Sequence, residues 1–241
     1  MLEKTRGIIL HQIKYTDSGI ITHIYTRKFG RQSVLIRGMR KKKTGKHNIL
    51  FQPMFIHELE IYYKEKRDMQ ILKEFSVSFT PYDIYSSIKK TSVAIFLGEV
   101  LSSVLKEESA YFEMFDFIEE SIIYFDKCKE GFANFHIAFL TGLSSFLGFE
   151  PGRRLEKKNI FFDMVNGIFV PVPPVHGNYA NEAITSILAE FFIASYDSVH
   201  QISLTGQMRN DILETLVRYY SLHLPGLKKI RSLEVLKEVF S

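Results

Sequence analysis

The hydrophobic period of this chain changes once, at Pro81, and that change restricts it to a β module followed by an α module. Before it, apolar and polar residues alternate between turn signals, and β-branched and aromatic residues predominate. The alternation predicts five strands, over residues 6–14, 20–28, 31–37, 54–63 and 69–79, with turns at Asp17-Ser18-Gly19, at Phe29-Gly30 and over 64–68. Five short strands in 80 residues suit a small closed barrel, which removes sheet edges and leaves an outer face and loops for a ligand; an OB-fold is the natural candidate. Proline is favourable in the first turn of a helix, and after Pro81 apolar residues recur at three- and four-residue spacing. That spacing predicts helices over 82–106, 111–128, 132–147, 181–195, 207–223 and 232–239. Between 152 and 179 the helical period lapses among Gly167, Pro171, Pro173, Pro174 and Gly177, which predicts an irregular insert with a short hairpin near 160–170. The class is α+β, a five-stranded barrel over 1–80 and a helical domain over 81–241.

Composition narrows the class further. Of 241 residues, 46% are apolar, 14% aromatic and 24% charged, which excludes disordered, collagen-like and coiled-coil chains. The one cysteine, Cys128, cannot form an internal disulfide or begin a paired-cysteine metal or redox site, and a reducing cytoplasm fits it best. Glu3, Lys4 and Arg6 stand where a secretory signal needs an apolar core, so export by that route is not expected. Residues 131–149 hold no Asp, Glu, Lys or Arg, yet Asn134, His136, Thr141, Ser144, Ser145 and three glycines interrupt the hydrocarbon. They read as a buried core helix.

Charge is distributed unevenly. Residues 1–80 carry 16 Lys and Arg against 7 Asp and Glu, a net of +9, whereas residues 81–241 carry 15 against 20, a net of −5. A basic barrel joined to a mildly acidic helical module points to a polyanion for the first and packing or a protein partner for the second. The sharpest feature is Arg37-Gly38-Met39-Arg40-Lys41-Lys42-Lys43-Thr44-Gly45-Lys46, six cations without an acid. It mimics a nucleotide-binding P-loop, but six residues separate Gly38 from Gly45, and His47 stands where Ser or Thr should take the magnesium. Tyr25, Phe29 and Phe51 lie near Arg27, Lys28, Arg31 and the basic run, a pairing of rings for bases with cations for phosphates.

Little else in the sequence points to chemistry. Glu107-Glu108 and Glu119-Glu120 are neighbours in sequence, and adjacent residues on a helix point about 100° apart, so neither pair converges on one substrate. His57-Glu58 lacks the second histidine of a zinc site, His136 lies among apolar residues, and no nucleophile-elbow or dinucleotide motif is present. No catalytic residue, metal or cofactor is expected.

Phrase by phrase, the residues resemble the RecO family of bacterial DNA-repair and recombination mediators. The carrying features are Gly7-Ile8-Ile9-Leu10, Tyr15-Thr16-Asp17-Ser18-Gly19-Ile20-Ile21, Tyr25-Thr26-Arg27-Lys28-Phe29-Gly30 and Val34-Leu35-Ile36-Arg37-Gly38-Met39-Arg40, then Leu50-Phe51-Gln52-Pro53-Met54 and Leu147-Gly148-Phe149-Glu150-Pro151. The resemblance implies an N-terminal OB-fold, a helical C-terminal domain, binding of single- and double-stranded DNA, and annealing of complementary strands. It also implies work with RecR and binding of the tail of single-stranded DNA-binding protein, so that RecA can load. Many family members carry a four-cysteine zinc motif after the Leu-Gly-Phe-x-Pro segment, and residues 152–181 contain no cysteine. Packing by Phe161, Phe162, Ile168 and Phe169 is expected to hold that region instead. Carried to residues, Arg37, Arg40, Lys41, Lys42, Lys43 and Lys46 are expected to contact DNA phosphates, with Arg27, Lys28 and Arg31 as weaker contributors. Two other classes fit the same residues: an RNA-binding OB module of translation or ribosome assembly, and a metal-independent hydrolase with its site in the helical half.

Overall fold

In the computed structural model, residues 1–16, 19–37, 49–106, 109–152 and 160–240 are described. They fall into two compact units: residues 1–127 with 230–236, and 128–229 with 237–241.

The first unit is built on strands β1 (Leu2–Lys14), β2 (Gly19–Thr26), β3 (Gly30–Arg37), β4 (Ile56–Tyr62) and β5 (Gln70–Phe79). They close in the order β1-β2-β3-β5-β4, with β3 parallel to β5 and the other pairs antiparallel, which is the OB-fold arrangement. β1 begins four residues before the alternation suggests, because residues 2–8 pair with β4 while residues 7–14 pair with β2. At the crossover sits Gly7, where an added Cβ would lie 2.6 Å from side-chain carbons of Ile24 and Leu59. Inward residues Ile9, Ile20, Ile24, Val34, Ile36, Leu59 and Ile61 fill the barrel, joined by Phe51 and Phe55 from the segment that re-enters before β4. Phe51 belongs to a 3-10 turn, Ile49–Phe51, whose Leu50 carbonyl accepts a 2.7 Å hydrogen bond from the buried His57 ring.

Where one helix is expected over 82–106, there are two, α1 (Tyr82–Ser86) and α2 (Ile88–Val104). Ser87 between them adopts extended backbone, and its hydroxyl accepts from the Lys90 amide, a standard use of serine at a helix start. Gly98 lets α2 lie against the barrel: a Cβ there would sit 2.8 Å from the Leu10 carbonyl and 2.9 Å from Pro53 Cβ. α3 (Phe112–Lys127) completes the helical part of this unit. Glu99 on α2 accepts hydrogen bonds from the Arg231 and Ser232 amides, capping the start of α7 (Ser232–Phe240). Burial raises the Glu99 pKa, but the bonds from Ser232 and Arg231 outweigh it and hold the carboxyl below its ordinary value.

In the second unit, α4 (Phe135–Phe146), α5 (Glu182–Phe191) and α6 (Gly206–His223) surround a core that includes Phe139, Leu143, Leu188, Phe191, Leu213 and Leu216. α5 stops before residue 195 because its last turn tightens, with Ile193 and Ala194 both donating to the Glu190 carbonyl. The hairpin near 160–170 is present as β6 (Phe161–Asp163) and β7 (Ile168–Val170), and β8 (Tyr179–Ala180) adds a third strand that no hydrophobic period could signal. Alternation decides which of the expected aromatics hold this sheet. Phe162 and Phe169 face each other on the buried side; Phe161 is half-buried beside Tyr179, and Ile168, opposite Asp163, is largely exposed. Asp163 adds a polar clasp, accepting from the Val165 and Asn166 amides and pairing with His176 at 3.2 Å. Asp163 is mostly buried, and burial opposes its charge, yet the bonds from Asn166, Val165 and His176 hold it below the ordinary carboxylate range. A four-thiolate zinc set does not fit this chain, which has one cysteine, and among the described residues no cluster of histidine, cysteine and carboxylates could hold a metal. No described helix is long and apolar enough to cross a membrane.

Buried imidazoles make both units acid-sensitive. Burial pushes His136 down to about 3 and lowers His57; burial, with Arg31 and His11 beside it, takes His23 down to about 4. Below about pH 6.5 the unfolded chain takes up protons that these folded sites refuse, so stability falls as pH falls toward the folded values. His136, fully buried, sets a slope of up to about 1.4 kcal/mol per pH unit. Urea midpoints are expected to be lower at pH 5 than at pH 7, with the difference reduced in His136→Leu; equal midpoints in the wild type would contradict this.

Candidate nucleic-acid interface

Strand directions divide the barrel into two ends. The β1–β2 turn and the C-terminus of β3 lie at the upper end; the 27–29 turn and the 63–69 loop lie at the lower end. The outward side chains of β1, β2 and β3 form cross-strand rows. Gly19 lies opposite Arg37 at the top, then come Ile13, Ile21 and Leu35, then His11, His23 and Ser33, and lowest Tyr25 opposite Arg31.

The lower half of this face is covered. Tyr25 is 2% exposed with its ring 5.9 Å from that of Phe115 on α3, and Arg31 donates to the Leu105 carbonyl at 3.4 Å. Arg27 makes a two-pronged bond to Asp116, at 3.0 and 2.9 Å, with its guanidinium 5.2 Å above the Phe112 ring. Lys28 lies 3.7 Å from Glu3. Lys4, Arg6, Arg27 and Lys28 thus line a groove of about 590 Å³ in which Glu58, Asp116 and Glu119 answer their charge. The expected rings are not free platforms: Phe51 is in the barrel core, Tyr25 lies under α3, and Phe29 stacks on Tyr63 with centroids 4.0 Å apart.

The upper half is open on its β1 side and at Arg37, while Leu35 is 8% exposed. Arg37 is exposed at the end of β3, about 20 Å along the strand from Arg31. Arg40, Lys41, Lys42, Lys43 and Lys46 lie outside the described residues. Their segment begins where β3 ends and finishes before the turn that Phe51 and His57 fix in the core, so both of its anchor points are rigid. Beside Arg37, His11, Ile13, Lys14 and Tyr15 are exposed. Tyr15 is passed over when the sequence is read for the six-cation run; the usable signal is Lys14, the cation directly before it. Across the barrel, outward Glu58 and Glu60 on β4 are matched by cations, Glu58 paired to Arg6 at 2.9 Å and Glu60 to Lys73 at 2.9 Å.

One pair has the form of a nucleophile and a base: His23 Nδ1 lies 3.1 Å from Ser33 Oγ. The ring beside it is His11, at 6.5 Å, where a catalytic pair needs an orienting carboxylate, and a pKa of about 4 makes His23 a poor base near neutrality.

Comparison with known proteins accords with this architecture. The family model described as Recombination protein O N terminal matches residues 1–80, and that described as Recombination protein O C terminal matches residues 85–234. The chain is 38% identical over 245 residues to the DNA repair protein RecO of Phocaeicola vulgatus, with all of both chains covered. It is 36% identical over 242 residues to that of Bacteroides fragilis, again with full coverage. Against that of Flavobacterium psychrophilum it is 31% identical over 239 residues, 99% of each chain. Matched by both family models and along its whole length by these relatives, the chain belongs to the RecO family of DNA repair proteins.

Proposed function

We propose that the protein is a non-enzymatic mediator of DNA repair and homologous recombination in the bacterial cytoplasm. It binds single- and double-stranded DNA without reading sequence, anneals complementary strands, and, with RecR, helps RecA load on single strands coated by single-stranded DNA-binding protein. The observation that carries this reading is the open upper half of the barrel face, bounded by Arg37 and by the rigid anchors of the six-cation segment. Arg37, Arg40, Lys41, Lys42, Lys43 and Lys46 meet phosphates; Arg27, Lys28 and Arg31, whose donors already serve Asp116, Glu3 and the Leu105 carbonyl, contribute less. Neutralising phosphates removes the repulsion between two strands, so pairing accelerates with no bond broken and no nucleotide hydrolysed. The acidic tail of single-stranded DNA-binding protein is the proposed partner of the helical part, which supplies cations among apolar side chains. Fluorescence anisotropy of labelled DNA and structured RNA of equal length tests the reading. It requires DNA to bind at least as tightly as RNA, and a marked preference for structured RNA would favour the RNA-binding class instead.

A further inference from the structure

Two exposed apolar side chains on the open half of the barrel face serve neither the core nor the helices. Tyr15 is 56% exposed and Ile13 is 45% exposed. Ile13 lies opposite Ile21, in the row that ends at Leu35. The Tyr15 and Thr16 amides both donate to the Gly19 carbonyl at 3.2 Å. Gly19 in turn pairs with Arg37, from which the six-cation segment departs, and Lys14 precedes the ring in sequence. A surface that only holds phosphates needs cations alone. A solvent-facing ring next to Lys14 and near Arg37 can also take the face of a base.

That face is available only in a single strand, because in a duplex each base is stacked on its neighbours and presents edges and phosphates outward. We propose that Tyr15, with Ile13 two residues before it, is a stacking platform for an unpaired base, and that it favours single strands over duplex. The inference deepens the DNA-binding reading above and rests on it. The phenol hydroxyl has no part in it; the aromatic ring does.

The chain contains no tryptophan, so Tyr15→Trp is a lone indole reporter at the platform. Its emission is expected to be quenched by oligo(dT) and left almost unchanged by blunt duplex or by an abasic deoxyribose-phosphate strand of the same length. In parallel, Tyr15→Ala weakens binding of oligo(dT) roughly tenfold while leaving duplex and abasic binding, the salt slope and the thermal melt as in the wild type. Tyr15→Phe binds as the wild type does. Oligo(dT) binding by Tyr15→Ala at wild-type strength, or indole emission indifferent to oligo(dT), overturns the platform and leaves DNA binding intact. Absence of binding to any oligonucleotide by the wild-type chain overturns the proposed function itself.

Discussion

Alanine at Arg40, Lys41, Lys42 and Lys43 together flattens the salt dependence of single-strand binding by about three units of log affinity per unit of log salt. Each phosphate neutralised on a single strand releases about 0.7 of a counterion, so six contacts give a slope of roughly −4 and two give about −1.4. From about 50 to about 200 mM salt the wild type then loses roughly 300-fold in affinity and the variant only about sevenfold. Arg37 and Lys46 remain in the variant, and because the anchors of the segment, β3 and Phe51, are untouched, the barrel keeps its fold. Equal slopes for the two proteins would mean that the run is solvated surface and that phosphates are met on another face.

The second large effect lies within the helices. Lys90→Met destabilises the fold by about 3 kcal/mol and lowers Tm by roughly 10 °C. Lys90 is 3% exposed, and its ammonium donates to the Phe125 carbonyl at 2.8 Å and the Asp126 carbonyl at 3.0 Å, 5.3 Å from the Phe125 ring centroid. These are last-turn carbonyls of α3, the negative end of its dipole, and a buried ammonium there satisfies acceptors that water cannot reach. Methionine keeps the volume and removes the donor, so the carbonyls bear the desolvation penalty. A Tm within about 2 °C of the wild type would show that the ammonium returns no more than its own desolvation takes.

These two cases mark what can be read from sequence in this chain. Alternation places the barrel strands to within a few residues because each carries one buried face, and the cation run is visible because it needs no folding to be recognised. Lys90 is invisible: nothing in a helical pattern distinguishes a lysine that caps another helix from one in solvent. The break at Ser87 depends on a capping preference that apolar spacing hides, and β8 is two residues long. The rings show the same limit. Strand alternation puts Tyr25 on the outer face, but only the fold brings Phe115, 90 residues later, to cover it. Tyr15 lies past the last paired residue of β1, in a turn where periodicity has nothing to say, and is left exposed.

The proposed function requires that this barrel bring complementary strands together. Mixing complementary fluorescently labelled oligonucleotides with the full chain at low salt, and following energy transfer as they pair, measures that directly. The wild type is expected to raise the pairing rate well above the protein-free rate. The variant with alanine at Arg40, Lys41, Lys42 and Lys43 should lose most of that gain. A wild-type rate equal to the protein-free rate would contradict the proposed function.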